Sequence, residues 1–268
     1  MPQVVLTIGG SDSGGGAGIQ ADIKTFSVLG VHGTCAVTAI TAQNTLGVQR
    51  VYGLSPDVVS AQMRSITDDF IIAAAKTGML HSPEVVIAVA DHLKDSKIPL
   101  VVDPVIEAEA GGRLLCPEAL EALVVHLMPL ARVITPNIFE AQAITGVKVR
   151  DRDSALDAAK KILDMGARAA IVKGGHLDCI DLLVNGDDSS EGILLPGERV
   201  AGENHGVGCT YSAALTSYLA LGLPLQDAAC SAKCFAAKAL QGSMRVGRGV
   251  GPVGQAAWIA AVSWDGKL

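Results

Sequence analysis

What most limits the fold of this 268-residue chain is the alternation of short apolar runs with stretches of helical spacing. The first run, "QVVLTIGG", is unbroken in its apolar character and ends in glycines, as a strand buried on both faces does. "IQADIKTFSVLG" then places apolar residues at helical spacing and stops at Gly30. "VHGTCAVTAIT" and "VQRVYGL" read as strands on either side of "AQNTLG". Ser55 and Pro56 start a helix expected to reach Phe70, with Ser55 as N-cap and proline at the first helical position. Ser82-Pro83 repeats that signal before "EVVIAVADHLKD". "IIAAAKTGML", "IPLVVDPVI", "ARVITPN" and "RAAIVKGGH" read as further strands, and "PEALEALVVHLMPL", 138–145 and 152–165 as helices. A hairpin from "DCIDLLVNGD" and "GILLPGERV" precedes two helices, about 208–221 and 225–241, expected to close the fold. This order predicts an α/β protein with a mostly parallel sheet covered by helices on both faces. No repeat, linker or charge block interrupts it, so residues 1–268 are expected to form a single domain.

Composition narrows the class further. Hydrophobic residues make up 49% of the chain and aromatics 3%, so the core must come from Ala-rich helices on Val/Ile strands. A net charge of −6 without a Lys/Arg cluster argues against nucleic acid as a partner. Polar residues and glycines break the apolar runs before they could cross a bilayer, so no membrane role is expected. Six cysteines, at 35, 116, 179, 209, 230 and 234, form no C-x-x-C and have no zinc-type histidine spacing. With no signal peptide before the first strand, a reducing cytoplasm is the expected compartment. Cys230 and Cys234, at i and i+4 in Ala-rich surroundings, are expected in the core. His32, His81, His92 and His126 share no spacing and are expected to be structural or exposed.

In a parallel sheet, ligands bind beyond the carboxyl ends of the strands. "GGSDSGGGAG", "AQNT", "KTGM", "DPV", "TPNIFE" and "KGGH" all fall there, which predicts a composite site. The Gly-rich turn over residues 9–22 frees backbone N–H groups that can hold an anion or lets a ligand approach closely, or is simply a tight turn from strand to helix; it matches neither a P-loop nor G-x-G-x-x-G. "GVGCT" places Gly206 and Gly208 before a helix whose N-terminus would attract an anion. There Cys209 reads equally as a thiol of lowered pKa, serving as base or nucleophile, or as a small buried apolar residue. Asn137 and Glu140 could organise Mg²⁺ near phosphates or simply cap a helix. Asp103 is a metal or electrostatic candidate, or a turn former before Pro104. Lys173, between a Val/Ile strand and two glycines, could meet a phosphate or face solvent.

Taken in order, "TIGGSDSGGGAGIQADIKTFSVLGVHG", "VTAITAQNTLGV", "KTGML", "VVDPV", "ITPNIFEAQAITG", "KGGH" and "NHGVGCTYSAAL" resemble the hydroxymethylpyrimidine/phosphomethylpyrimidine kinases, of the ribokinase-like superfamily, over nearly the full length. The resemblance implies a three-layer α/β fold and an ATP- and Mg²⁺-dependent kinase of thiamine biosynthesis. It would phosphorylate 4-amino-5-hydroxymethyl-2-methylpyrimidine and then the monophosphate, and would be a homodimer. Cys209 stands where most of the superfamily has an aspartate base, with Gly206 and Gly208 as its anion hole. Gln43 matches a pyrimidine-reading glutamine, and Asp22 a substrate-side acid. Gly10, Ala17, Met79 and Val105 would line the pocket. Asn137, Glu140 and Lys173 match the nucleotide-phosphate side, with Glu140 and Asp103 toward Mg²⁺, and Lys233 matches a lysine of the penultimate helix. The chain departs from the family at Val207, usually threonine, at Ser13-Gly14, and at "EAEAGGRLL", which brings Glu107 and Glu109 after "DPV". Rival readings are a pyridoxal kinase of the same branch and a non-catalytic pyrimidine- or nucleotide-binding protein.

Overall fold

A computed structural model describes residues 2–106, 114–175, 178–186, 191–203 and 205–264. Glu107, Glu109, His176 and Asn204, which belong to segments quoted above, lie outside the described residues.

The chain opens with β1 (Val4–Asp12) and α1 (Gly18–Val28), followed by β2 (His32–Asn44) and β3 (Gly47–Gly53). Next come α2 (Pro56–Thr67), β4 (Ile72–Thr77), α3 (Pro83–Leu93) and β5 (Leu100–Val102). The helix α4 (Pro117–Ala122) widens into a π-type turn over Leu123–Leu127 and tightens over Met128–Leu130. Pro129 brings no N–H to continue the helical ladder there. β6 (Val133–Ile134), α5 (Ile138–Thr145), α6 (Arg152–Asp164), β7 (Ala169–Val172), β8 (Asp181–Asn185) and β9 (Ile193–Leu195) follow. The C-terminal part holds α7 (Val207–Ala220), α8 (Leu225–Gln241) and α9 (Ala257–Trp264).

All nine strands join one sheet in the order β3-β2-β1-β4-β5-β6-β7-β8-β9. From β2 to β7 every pairing is parallel, while β3, β8 and β9 are antiparallel additions at the edges. Alternate residues of the central strands serve opposite faces. Leu6, Ile8, Val102, Ile134 and Val172 pack with Met63, Val86, Leu127, Ile144 and Ile162 on one side. Val5, Val101, Val133 and Ile171 face Phe26, Tyr211, Leu215 and Phe235 on the other. This two-sided burial is why the strands read as continuous apolar runs.

Two expectations need correction. The pair 208–221 and 225–241 does not close the fold, because α9 follows and packs Trp258 on Phe235, ring centroids 5.2 Å apart. Cys230 and Cys234 are exposed. The stripe of α8 that is buried carries Ala228, Ala229, Ala232, Phe235, Ala236 and Ala239, which turns the cysteine face outward. Ser55 occupies the N-cap of α2 without a capping hydrogen bond, whereas Ser82 accepts one from Val85 N–H.

Candidate active site

The carboxyl ends of β1, β2, β4, β5, β6 and β7 converge with the N-terminus of α7. Two glycines make that convergence possible. Gly206 has φ +85°, and a Cβ there would collide with the carbonyl of Gly16; Gly18 has φ +58°, and a Cβ there would collide with the carbonyl of Gly10. The start of α7 is therefore pressed against the Gly-rich turn, a fit open to residues without side chains. No side chain caps α7.

The Gly-rich turn does hold an anion, but the anion is its own Asp12. Asp12 Oδ1 accepts from Gly14 N–H at 2.8 Å, and Oδ2 accepts from Gly16 and Ala17 N–H at 2.9 and 2.8 Å. His205 Nε2 lies 3.0 Å from the same Oδ2. Burial raises the Asp12 carboxyl, yet the bonds from His205 and from these amides outweigh that and hold it below the usual range. Of the alternatives the sequence offers for this turn, an external anion held on these three N–H groups is ruled out, since Asp12 already takes them.

His205, absent from the sequence reading, joins this turn to the end of β2. Its ring covers Gly16, where a Cβ would strike it, and its Nε2 lies 3.3 Å from the Gln43 amide. The other end of that amide is 3.1 Å from Thr41 Oγ1. Gly10 and Met79 adjoin, since a Cβ on Gly10 would sit 3.2 Å from Met79 Sδ. Gln43, Gly10, Ala17 and Met79 thus lie near the carboxyl ends of β1, β2 and β4, and Val105 follows Asp103 at the end of β5, its N–H donating to the Asp103 carbonyl.

A buried ion pair joins β4 to α1. Lys76 Nζ meets Asp22 Oδ1 at 2.7 Å, and Thr7 Oγ1 donates to Asp22 Oδ2 at 2.6 Å. Asp22 is 2% exposed and Lys76 fully buried. Both Asp22 oxygens are engaged below the surface, which differs from the expected substrate-side acid. Burial pushes the Asp22 carboxyl up; for Lys76, burial works the other way but Asp22 overrides it and keeps the ammonium charged.

Cys209 sits in the first turn of α7, partly buried. The expectation of a lowered pKa fails here. Burial pushes the thiol up to about 12, and the pull of Lys76 and of the Gly18 N–H is opposed by Asp22 and Asp103. A helix N-terminus lowers a thiol pKa where solvent also reaches it, and the desolvation cost exceeds that effect at this depth.

On the other side of Cys209, Lys173 Nζ pairs with Asp103 Oδ1 at 3.2 Å and would lie 3.5 Å from a Cβ on Gly208. Asp103 is further held by Thr135 Oγ1 at 3.3 Å and by Ser212 Oγ, which donates to Oδ2 at 2.9 Å. Burial alone would lower Lys173, but Asp103 and then Glu140 raise it above the ordinary range. Asn137 and Glu140 form a reciprocal cap on α5: Asn137 Oδ1 accepts from Glu140 N–H at 2.9 Å and Glu140 Oε2 accepts from Asn137 N–H at 2.8 Å. Burial raises the Glu140 carboxyl to about 7 despite Lys173 nearby. A backbone bridge between Asn137 and Lys173 brings β6 and β7 ends together. Lys233 is placed one step further out, paired with Asp181 at 2.8 Å; that carboxylate also accepts from Gly174 N–H at 2.9 Å.

A three-layer sheet of this order, with its polar groups gathered at the carboxyl edge around one open helix N-terminus, is the architecture of the ribokinase-like kinases. Comparison with known proteins narrows the class. Residues 12–254 match the family described as phosphomethylpyrimidine kinase, and the chain belongs to that family. It is 46% identical over 260 residues to a hydroxymethylpyrimidine/phosphomethylpyrimidine kinase of Rhizobium meliloti, covering 94% of this chain and 97% of that protein. The solved structure of a Clostridium difficile phosphomethylpyrimidine kinase superposes with a TM-score of 0.76 at 43% identity, over 87% of this chain and 97% of the other. An ADP complex of Bacillus subtilis pyridoxal kinase superposes with a TM-score of 0.88 at 37% identity, over 97% of this chain and 100% of the other. No helix among the described residues is long and apolar enough to cross a membrane.

Proposed function

We propose that this chain transfers the γ-phosphoryl group of ATP to the hydroxymethyl group of 4-amino-5-hydroxymethyl-2-methylpyrimidine. It then transfers a second one to the monophosphate, a kinase step of thiamine biosynthesis. Family membership supports the pyrimidine substrate, and the ADP-bound relative supports the nucleotide. One observation carries the mechanism: the open N-terminus of α7, the Cys209 thiol and the Lys173–Asp103 pair meet at one point of the sheet edge. We read residues 1–268 as a single kinase domain acting in the cytoplasm as a homodimer.

In the reaction the substrate hydroxyl oxygen attacks the γ-phosphorus as the bond to the bridging oxygen breaks and ADP departs, and the hydroxyl proton passes late to an oxygen of the transferred phosphoryl group. The transition state is loose, so the protein's task is alignment and charge neutralisation. The amides at Gly206, Val207 and Gly208 would receive the phosphoryl oxygens, with Val207 contributing through its backbone. Lys173, anchored by Asp103, would neutralise charge beside Gly208. With its pKa near 12 in the structure, Cys209 is a neutral thiol whose sulfur accepts and orients the substrate hydroxyl. Gln43 would read the aminopyrimidine edge, Gly10, Ala17, Met79 and Val105 would enclose the ring, and Asp22 would act from below by fixing Lys76. Lys233 and Asn137 would border the nucleotide.

Mg²⁺ fits this donor set in a particular way. Among the described residues no group of three His, Cys, Asp or Glu forms a metal cage. Glu140 and Asp103 are carboxylates beside the proposed phosphate path. They suit a hydrated ion held by phosphates with one or two protein carboxylates. When bound, the ion would neutralise charge on the β- and γ-phosphates. The test is product analysis with Mg-ATP and, separately, the hydroxymethylpyrimidine, its monophosphate and pyridoxal. Formation of pyrimidine mono- and diphosphate is expected. Turnover of pyridoxal alone would move the protein to the rival kinase activity, and binding without turnover would reduce it to a binding protein.

A further inference from the structure

We infer that His205 is a specificity-determining positioning residue: locked as the Nε2–H tautomer by Asp12, it fixes which way the Gln43 amide faces and so the orientation in which a heterocycle is accepted. The inference rests on the reading of Gln43 as the ring-binding amide.

Asp12 Oδ2 already accepts from Gly16 and Ala17 N–H, and Oδ1 from Gly14 N–H, so Asp12 is an ionised acceptor. His205 Nε2, 3.0 Å from Oδ2, must therefore carry the proton of that bond. An Nε2–H cannot accept a second proton, yet the Gln43 nitrogen Nε2 is the amide atom placed 3.3 Å from it. Thr41 has the matching problem. Its one hydroxyl proton faces two acceptors, the Ser11 carbonyl at 3.0 Å and Gln43 Oε1 at 3.1 Å. Turning the amide by a half-rotation resolves both conflicts at once, since amide oxygen and nitrogen exchange places without moving the side chain. Gln43 Oε1 then accepts from His205 Nε2–H, shared with Asp12, while Gln43 Nε2 donates to Thr41 Oγ1, whose own proton goes to Ser11.

This orientation leaves Gln43 one lone pair and one N–H in a fixed order. An aminopyrimidine edge offers one donor beside one acceptor, so it matches that order one way round. Reversing the amide would reverse the ring and carry its hydroxymethyl group away from Cys209. The unit is braced from outside: His205 N–H donates to the Gly251 carbonyl at 3.3 Å, Val253 N–H donates to the His205 carbonyl at 3.2 Å, and Val250 N–H donates to the Thr45 carbonyl at 2.9 Å. One C-terminal strap thus holds both His205 and the turn after Gln43.

The first measurement is long-range ¹⁵N–¹H NMR of the wild-type protein, which reads the tautomer without any substitution. An Nε2–H signal for His205 supports the proposal, and an Nδ1–H tautomer overturns it. The second is steady-state kinetics of His205→Leu, His205→Gln, Gln43→Leu and the Leu/Leu double variant. His205→Leu is expected to raise KM for the pyrimidine roughly 10-fold or more, as the loss of an orienting bond to a buried amide implies, with KM for ATP unchanged. His205→Gln, which restores an N–H near the Nε2 position, should recover most of the loss. The double variant should be no worse than Gln43→Leu, because His205 acts through Gln43. Additive losses, or a fall in kcat with a matching rise in KM for ATP, would reduce His205 to a structural support and overturn the proposal. Failure of the wild type to phosphorylate the pyrimidine would defeat the functional reading instead, and the tautomer measurement would still decide the orientation of the network.

Discussion

Cys209 provides a quantitative test of whether burial or the helix N-terminus governs the thiol. At about pH 8 a thiol with its pKa near 12 is ionised in only ~1 molecule in 10⁴, whereas a free cysteine of pKa about 8.5 is roughly one-quarter thiolate. The ratio is of order 10³. A more basic thiolate is the better nucleophile, with a Brønsted slope of about 0.4–0.5, which returns about 1.5 decades over the difference in pKa. Cys209 should therefore be alkylated ~10²-fold more slowly than free cysteine on electrostatic grounds alone. The assay is iodoacetamide labelling resolved by peptide mass spectrometry, with an unstructured cysteine-containing peptide in the same tube as reference. Restricted access would also slow labelling, so the pH dependence is the decisive readout. The Cys209 rate should climb tenfold per pH unit up to about pH 10 without levelling. A plateau between about pH 7 and 8 would show a stabilised thiolate, refute the burial argument and restore Cys209 as a general base.

Other expectations follow from the same contacts. Gly206→Ala forces a left-handed β-carbon against the Gly16 carbonyl, so urea denaturation should show a loss of at least ~1–2 kcal/mol; an unchanged midpoint would mean that α7 can back away from the turn. Glu140 titrates at about 7 in the fold against 4.5 in a free chain, so the folded state holds the extra proton between those values and its stability falls as pH rises through them. Glu140→Gln keeps an acceptor for Asn137 N–H but cannot ionise; its advantage over wild type should grow from about pH 5 to about pH 8 by roughly 1–3 kcal/mol, and a gap independent of pH would exclude the buried carboxylate as the cause. Chelation of divalent cations should weaken ADP binding by calorimetry roughly 10-fold or more, since Lys173 is already engaged by Asp103 and Glu140 there; equal affinity in EDTA and in Mg²⁺ would remove the ion from nucleotide binding.

The sheet was legible in the sequence because burial on both faces writes itself into adjacent residues: Val4, Val5 and Leu6 must all be apolar whichever side they face. Caps were legible for the same local reason, as in the Asn137–Glu140 pair three residues apart. What escaped was long in range. Asp12 and His205 lie 193 positions apart, and Asp22 and Lys76 lie 54 apart, so nothing near either residue announces its partner. The two readings of Cys209 stayed level in the sequence because its neighbours there show only a dipole, while burial and carboxylates on α1 and just after β5 push the thiol up. The outward turn of Cys230 and Cys234 was missed because an Ala-rich helix has no strong apolar contrast to mark its buried stripe. A signal was available for His205: a histidine directly before Gly206 and Gly208 stands where the backbone must run close to its neighbour.

The two Gly-rich stretches have opposite fates, and the difference divides the labour of the site. Both free backbone N–H groups at the start of a helix, which by itself would make both of them phosphate sites. The first carries its own carboxylate at Asp12, and Gly14, Gly16 and Ala17 spend their N–H groups on it. A phosphate brought to the same amides would have to displace a buried, hydrogen-bonded anion and strip it of its three amide donors, which costs more than the phosphate would gain. The second stretch has no carboxylate in its first turn and no side-chain cap, and it has Lys173 beside Gly208. Negative charge is therefore turned away from the β1 turn and drawn to α7, about one collision-tight contact apart at Gly16 and Gly206. On the proposed reading, that asymmetry would leave the Gln43 side for a neutral ring and the α7 side for the phosphoryl group, the separation that in-line transfer from a nucleotide to a ring-borne hydroxyl requires.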